Sequence, residues 1–481
     1  MALSKTEFIA GLQCEKHIFL HVHHPELAEP TESSATITGK VVEEHAQREF
    51  PGAILVERDN TRINPFENTK ALLNVPSVNT IFEAAIAGDD LNLFVDVLSR
   101  EGTDWLLTEI KSAAKVKDEH IDDVTIQAVA LEQSNISVSR FELMHINSDF
   151  IYQGDHHYEG LFVREDITEQ VQAHKGFIKA QLPEINDMVK GPQPEKHIGP
   201  YCKNPYPCPF KQYCEAHDAK YPVAYLPRGW KVAQKMLAAG IDDIRDIPEE
   251  ALTSETHLRI RRVTRAGQAE MLPGAKQLLQ ALDYPRYYID FESIQFAIPI
   301  WKGTSPYQQL PFQWSCHIEN KPGELKHREF LDISGDDPRI TFAESLLEIS
   351  GETGPILVYN QTFEKRIIRE LAKVLPDYSD RLLALNNRIV DLLPIVQQHY
   401  YHPEMKGSWS IKKVLPCLVP ELRYSELGKV QDGTQAQLAY FEAIDTDGLT
   451  DKAHQTLRQD MLDYCRLDTL AMVKIAEKLC E

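Results

Sequence analysis

No stretch of this chain approaches the roughly 18 consecutive apolar residues needed to span a bilayer, so a membrane-spanning segment is not expected. The opening Met1-Ala2-Leu3-Ser4-Lys5 is not followed by the apolar core of a secretion signal. No internal repeat or low-complexity tract interrupts the sequence. Positive charge is scarce: 51 lysines and arginines face 72 acidic residues, a net charge of −21. That excludes a broadly basic nucleic-acid binder. It does not exclude an enzyme acting on nucleic acid, because metal-dependent sites collect carboxylates and bound cations invert the local potential. Phosphate contacts would then come from local patches. The clearest is the segment from His257 to Arg265, which reads equally as a solvated charged helix face. Eight cysteines without a secretion signal do not suggest disulfides. The expectation is a cytoplasmic protein with no membrane partner.

What is present is an ordinary globular composition, 43% hydrophobic and 26% charged. A length of 481 residues predicts two domains and a connector. The expected division is 1–222, 223–276 and 277–481. In the first part, Lys5 to Leu20 and Thr38 to Phe50 read as helices. Leu91 to Leu98 and Trp105 to Ile110 are apolar runs separated by the turn signal Ser99 to Asp104, so they read as a hairpin. A helix from Asp122 to Gln133 and a strand from Val138 to Ile146 follow. The middle part consists of short helical pieces. In the last part, strands at Tyr287 to Glu292, Pro311 to His317, Lys326 to Leu331, Pro355 to Asn360 and Arg388 to Leu392 alternate with helices, ending in a long helix from Thr456 to Leu479. Alternation of this kind predicts an α/β fold with a mixed sheet.

Three elements of the last part each carry acid. Asp290 and Glu292 stand two apart on a strand and share a face. Glu364 lies one turn beyond Asn360, where a helix begins after a buried strand. Tyr464 and Asp468 stand four apart on a helix and share its face. Carboxylates converging from separate elements suit two divalent ions roughly 3.5–4 Å apart, which is how many phosphodiester bonds are hydrolysed. The segments D-F-E, N-Q-T-F-E and Y-C-R-L-D resemble the three motifs of the DEDD family of 3′–5′ exonucleases, in its tyrosine-containing subgroup. The resemblance implies a ribonuclease-H-like fold in which Asp290, Glu292, Glu364 and Asp468 bind Mg²⁺ or Mn²⁺. It implies that Tyr464 positions or activates the water. Glu364 departs from the family's usual Asp. Asp391, after another apolar run, reads first as a helix cap. Lys412 or Lys413 is a candidate phosphate contact or a surface lysine.

The first part carries a second set. Asp96 ends an apolar run, and Glu109-Ile110-Lys111 follows on the partner strand of the hairpin. Two carboxylates held close repel unless a cation sits between them, and a lysine beside them can stabilise developing negative charge. Gln127 lies on the next helix, preceded by Asp122-Asp123. This order resembles the PD-(D/E)xK restriction-endonuclease-like fold in its RecB-like branch. The branch implies metal binding by Asp96 and Glu109 and catalytic roles for Lys111 and Gln127. A helical histidine of the branch is replaced here by Glu43, with His45 two residues on; either is a candidate ligand.

Cys14 near the start, with Cys202, Cys208 and Cys214 in C-x5-C-x5-C spacing, resembles the four-cysteine cage of iron–sulfur members of that branch. The resemblance implies a [4Fe–4S] cluster. Four thiolates also suit Zn²⁺. The two resemblances together are similar to a bacterial two-nuclease-domain family of uncharacterised function. They imply a metal-dependent DNA nuclease with two hydrolytic sites, an exonuclease of repair, recombination or defence. The rivals are an RNA-processing 3′–5′ exonuclease and a nucleic-acid-binding scaffold with one decayed site.

Overall fold

Apolar runs at 105–107 and 356–358 form strands in two separate sheets. The computed structural model describes residues 2–29, 34–59, 62–445 and 449–481. The chain is α/β and divides into two units. One is Met1–Asp218 with Phe296–Tyr307; the other is Ala219–Gln295 with Gln308–Glu481. The division therefore departs from the expected 1–222, 223–276 and 277–481. The middle part groups with the second unit because its helices pack there, and a segment after residue 277 groups with the first.

In the first unit the elements run α1 (Lys5–Gln13), α2 (Glu15–His23), α3 (Ser34–Gln47), β1 (Ile54–Leu55), α4 (Pro65–Leu73), β2 (Thr80–Ala87), β3 (Asn92–Glu101) and β4 (Asp104–Lys111). They continue with α5 (Asp118–Gln133), β5 (Val138–Ile146), β6 (Phe162–Asp166), α6 (Thr168–Lys190) and α7 (Lys211–His217). One sheet holds all six strands in chain order. β1 with β2 and β4 with β5 are parallel; the other neighbours are antiparallel. The hairpin forms as expected, Val97 facing Thr108, with Gly102 at φ 66° in the turn. β4 is buried from Trp105 to Ile110, so a strand covered on both faces shows no alternation. Each fully buried leucine there contributes about 1.5–3 kcal/mol.

The helix expected from Lys5 to Leu20 is two helices. Cys14 ends α1 and starts α2 with extended backbone (φ −165°, ψ 126°). Phe296–Tyr307 completes the unit. Tyr152 N–H donates to Thr304 O at 3.0 Å and Gly303 N–H to Tyr152 O at 2.8 Å. Ala297 and Ile298 join Ile110, Met144 and Ile146 in one apolar cluster.

The second unit begins with α8 (Trp230–Ala238), α9 (Glu255–Ala266), β7 (Glu270–Met271) and α10 (Ala275–Gln280). Its main elements are β8 (Arg286–Ile294), β9 (Leu310–Lys321), β10 (Glu324–Leu331), α11 (Arg339–Ile349), β11 (Ile356–Val358), α12 (Thr362–Val374), α13 (Ser379–Asn386) and β12 (Ile389–Asp391). Then come α14 (Leu392–His399), β13 (Tyr400–Tyr401), α15 (Ile411–Leu418), α16 (Gly433–Ile444) and α17 (Asp451–Cys480). The main sheet has the order β10-β9-β8-β11-β12. β8, β9 and β10 are antiparallel neighbours, whereas β8, β11 and β12 run parallel. β8 is thus central, and α17 packs across β8 and β9.

Two helical glycines separate packing from propensity. A Cβ on Gly11 of α1 would lie 2.7 Å from Ile185, a fully buried side chain, whereas Gly176 of α6 faces open space. Gly176→Ala should raise unfolding stability by roughly 0.5–1 kcal/mol. Gly11→Ala should lower it, because an overpacking cost of about 1–3 kcal/mol exceeds the helix gain. Urea denaturation of both variants measures the two signs.

Candidate functional site

In the second unit, Asp290 and Glu292 project from β8 and meet Asp468 of α17. Oxygens of all three lie within 4.8 Å of one another. No described lysine or arginine forms an ion pair with any of them. Burial, then repulsion from Asp468 and Glu292, holds the Asp290 carboxyl far above the usual carboxylate range. Burial and Asp468 push Glu292 up to about 8. Burial raises Asp468 to about 6, opposed by hydrogen bonds from Tyr424 and Tyr464 and by the Lys412 charge. Glu364 of α12 is buried and pushed up to about 8 by burial. Its Oε2 is buried with no hydrogen-bond partner. Glu364 lies outside the tight triad but acts electrostatically on Asp290 and Glu292. Hard oxygen donors, mutual repulsion and an unpaired buried oxygen fit divalent cations.

Local structure explains these positions. Asn360 takes a left-handed φ of 76° between β11 and α12. The Asp391 carboxylate accepts the N–H groups of Asn360 (2.9 Å), Gln361 (3.1 Å) and Leu393 (3.0 Å). Asp391 is therefore the expected cap of α14, and it also braces the turn that aims Glu364. Tyr464 is buried, and burial with three nearby acids pushes its phenol far up, so it stays protonated. Tyr424, absent from the sequence motifs, donates to Asp468. Lys412 places its ammonium 5.0 Å over the Tyr464 ring and 5.3 Å over that of Tyr424. Lys413 is exposed.

The first unit gathers Asp96, Glu109, Lys111 and Gln127. Lys111 Nζ lies 2.6 Å from Glu109 Oε1. Gln127 Nε2 donates to Glu109 Oε2 at 2.7 Å, and Asp96 accepts the Ile110 N–H at 2.8 Å. Burial and the Glu109 charge push Asp96 up to about 8. Three further residues join this group: Asp123, noted in the sequence without a role, and Lys5 and Glu83, which the sequence reading did not single out. Asp123 pairs with Lys111. Lys5 reaches Asp123 at 2.9 Å and Glu109 at 3.1 Å. Glu83 of β2, buried and paired with Arg58, has φ 56° and stands outside the ladder between the pairs Phe82–Val97 and Ala84–Val95. Glu43 faces this group, its pKa raised by burial and then by Glu83. His45 does not: its ring bonds the Val41 carbonyl and packs edge-on against Tyr158. Among the described residues, no three acids here approach within 4.8 Å. The fit to a divalent ion is looser than in the second unit, because ammonium groups occupy Glu109.

Cys14, Cys202, Cys208 and Cys214 line one pocket with Lys16, His17 and Lys196. None is in a disulfide. Burial raises all four thiols, Cys208 to about 12 and Cys214 to about 11, and neighbouring cysteines add to each of the three clustered ones. Lys196, Lys211 and Lys16 act in the opposite sense on Cys14, Cys202 and Cys214. The Gln13 amide ties α1 to this loop, donating to Tyr201 O (2.6 Å) and Tyr206 O (2.7 Å).

The basic patch expected at His257–Arg265 is partly committed to contacts within its own unit. Arg259 pairs with Glu270 at 2.6 Å and donates to Gln397 O at 2.6 Å. Arg261 bonds Ile247 O and Glu249, and Arg262 pairs with Glu270. Arg259 and Arg261 fasten α9 to its neighbours, whereas Arg262 and Arg265 remain exposed.

If a divalent ion is held by the second-unit acids, their raised pKa values make its binding a proton exchange. Their folded pKa values exceed the unfolded carboxylate value of about 4. They therefore favour folding below about pH 4, and that contribution is lost as pH rises toward 8. Mn²⁺ should bind more tightly from pH 6 to 8 and release protons, seen by calorimetry in buffers of different ionisation enthalpy. Glu292→Gln should reduce the proton release, and its metal-free melting temperature should gain on the parent as pH rises. Proton release unchanged by Glu292→Gln would contradict this assignment.

Residues 287–410, from β8 to the residue before α15, match a family model described as a domain of unknown function (DUF2779). The chain is 27% identical over 233 residues to the uncharacterised protein UU173 of Ureaplasma parvum, covering 43% of this chain and 33% of that protein. It is 26% identical over 223 residues to the MG366 homolog of Mycoplasma pneumoniae, covering 42% and 33%. MG366 of Mycoplasma genitalium is 24% identical over 220 residues, covering 42% and 32%. The chain thus spans about a third of the length of the curated relatives it matches.

Proposed function

We propose that the chain is a metal-dependent phosphodiester hydrolase acting on DNA, with a 3′-trimming site in the second unit and a second hydrolytic site in the first. The observation that carries this reading is the triad Asp290, Glu292 and Asp468, its oxygens gathered within 4.8 Å of one another in a largely buried site with no cation paired to it among the described residues. The sheet order, three antiparallel strands followed by two parallel ones, supports the resemblance to ribonuclease-H-like exonucleases. When bound, divalent ions would polarise the phosphate and lower the pKa of a water.

The protein groups have distinct roles. Asp290, Glu292 and Asp468 would hold the ions, with Glu364 behind them. Tyr464, kept protonated, would orient the attacking water by donating or accepting a hydrogen bond, not act as a base. Tyr424 fixes the Asp468 carboxylate. Lys412 supplies positive charge near the phosphate path. In the first unit, Asp96 and Glu109 would hold a cation together with Glu43, while Lys111 stabilises charge on the phosphate. The Gln127 amide and Asp123 orient Glu109 and Lys111. The resemblance of this pocket to RecB-like nucleases favours DNA over RNA.

For the cysteines, a [4Fe–4S] cluster is the reading of choice. Tetrahedral zinc, with Zn–S bonds of about 2.3 Å, draws its sulfurs to roughly 3.8 Å of one another. Here no three of the four sulfurs come within 4.8 Å. That supports a group wider than one ion. The lysines near three of the thiols favour a cage of net negative charge.

On end-labelled single-stranded DNA, duplex DNA and RNA with Mn²⁺, Asp290→Ala should reduce 3′ trimming by about 100- to 1,000-fold, and Lys111→Ala should remove a separate cleavage by a similar factor. Products unchanged by both substitutions would end the two-site reading. Faster loss of RNA than DNA would move the proposal to RNA. Protein purified without oxygen should be brown and carry iron and sulfide, and Cys208→Ser should lose them. A colourless protein with one zinc per chain would overturn the cluster assignment.

A further inference from the structure

The E-x-K pattern accounts for one lysine in the first-unit pocket, yet two are present. Glu109 is fully buried. Its Oε1 meets both Lys111 Nζ at 2.6 Å and Lys5 Nζ at 3.1 Å. Its Oε2 accepts from Gln127 at 2.7 Å. On Asp123, Oδ1 meets Lys5 at 2.9 Å and Gln127 at 3.1 Å, and Oδ2 meets Lys111. Every oxygen of these two acids is therefore answered by a protein donor.

Lys5 is not a loose surface lysine that happens to swing in. Isolated exposed ion pairs contribute little, but its backbone is held on both sides. Leu3 N–H donates to Asp90 O at 2.8 Å, and Asn92 N–H to Leu3 O at 2.9 Å, which pins the residues just before Lys5 beside β3. A capping box follows: Ser4 N–H donates to Glu7 Oε2 at 2.7 Å and Glu7 N–H to Ser4 Oγ at 3.2 Å. Lys5 is the first residue of α1, and the other end of α1 is anchored by Gln13 and Cys14 at the cysteine pocket. The ammonium is thus presented by a short rigid rod.

We propose that Lys5 is a built-in competitor of the divalent ion: it holds Glu109 and Asp123 in register and weakens metal capture by the first-unit pocket. The inference rests on reading that pocket as a metal-binding site. Its physical basis is that an ammonium on Glu109 Oε1 both occupies a ligand oxygen and repels a second cation. Lys111 cannot be spared if it serves the phosphate, so Lys5 is the group that sets the affinity.

The test is calorimetric titration of Mn²⁺ into the full chain carrying Asp290→Ala, with Asp96→Ala added to identify the heat that belongs to the first pocket. Lys5→Met should tighten that Asp96-dependent binding by tenfold or more, and Lys5→Arg should leave it near the parent value. The Mn²⁺ concentration giving half-maximal cleavage at the first site should fall by the same factor. A purely structural lysine would instead weaken binding and lower the melting temperature together. Unchanged or weaker Mn²⁺ binding in Lys5→Met, with an intact thermal transition, overturns the proposal. So does the absence of Asp96-dependent binding in both parent and variant. Lys5→Gln replaces Lys5→Met if the latter fails to fold. Should the parent bind Mn²⁺ but cleave nothing, the hydrolase reading falls while the titration still decides the role of Lys5.

Discussion

Acid placed on a buried central strand must be answered by a proton or a cation, and both units are organised around that demand. At an effective dielectric of ~20, two carboxylates 4–5 Å apart repel by about 3–4 kcal/mol, a large fraction of the stability of an ordinary domain. In the first unit the answer comes from the protein itself: Lys5 and Lys111 against Glu109 and Asp123, Arg58 against Glu83. In the second unit, Asp290, Glu292 and Asp468 have no ion-pair partner among the described residues, and burial with mutual repulsion raises their pKa values instead. The same chemistry on two sheets thus yields one pocket whose acids are paired with ammonium groups and one whose acids, among the described residues, have no ion-pair partner.

Holding repelling groups together requires a scaffold that cannot relax away from them. α17 is fastened to β9 by a buried polar network. Ser315 and His317 both bond the Thr469 hydroxyl at 2.8 Å, and Ser315 also bonds His327 at 2.9 Å. Burial lowers the pKa of both histidines, so the network is held by neutral imidazoles. Asp391 braces the start of α12, Tyr424 holds Asp468, and the Gln313 amide donates to Met461 O within α17. In the first unit, α1 plays the equivalent part. It approaches α6 closely because residue 11 has no side chain, and it links the acid pocket to the four cysteines.

Much of this was legible because it is local. The hairpin of β3 and β4 follows from two apolar runs and one turn, and it alone brings Asp96 near Glu109 and Lys111. The two-residue spacing of Asp290 and Glu292 and the four-residue spacing of Tyr464 and Asp468 place each pair on one face of its own element. Asp391 as a cap is likewise a short-range property. The break at Cys14 was not legible, since nothing in the run from Lys5 to Leu20 forbids a continuous helix. Glu83 was missed although its apolar neighbours form a strand, because its role depends on a left-handed backbone that takes it out of the ladder. The arginines of α9 looked available because their partners, Glu270 and the Gln397 carbonyl, lie elsewhere in the chain.

By itself, then, the sequence determined which elements form and which side chains share a face, because those follow from periods of two and 3.6 residues and from turn chemistry within a few positions. Only the tertiary structure decided which charges meet. Lys5 and Glu109 are separated by 104 residues, and Tyr424 and Asp468 by 44. Coulomb interaction and burial depend on distance in space, not along the chain. Whether a carboxylate ends beside an ammonium, a phenol or another carboxylate is therefore set when helices and sheets pack, and that choice separates the two pockets.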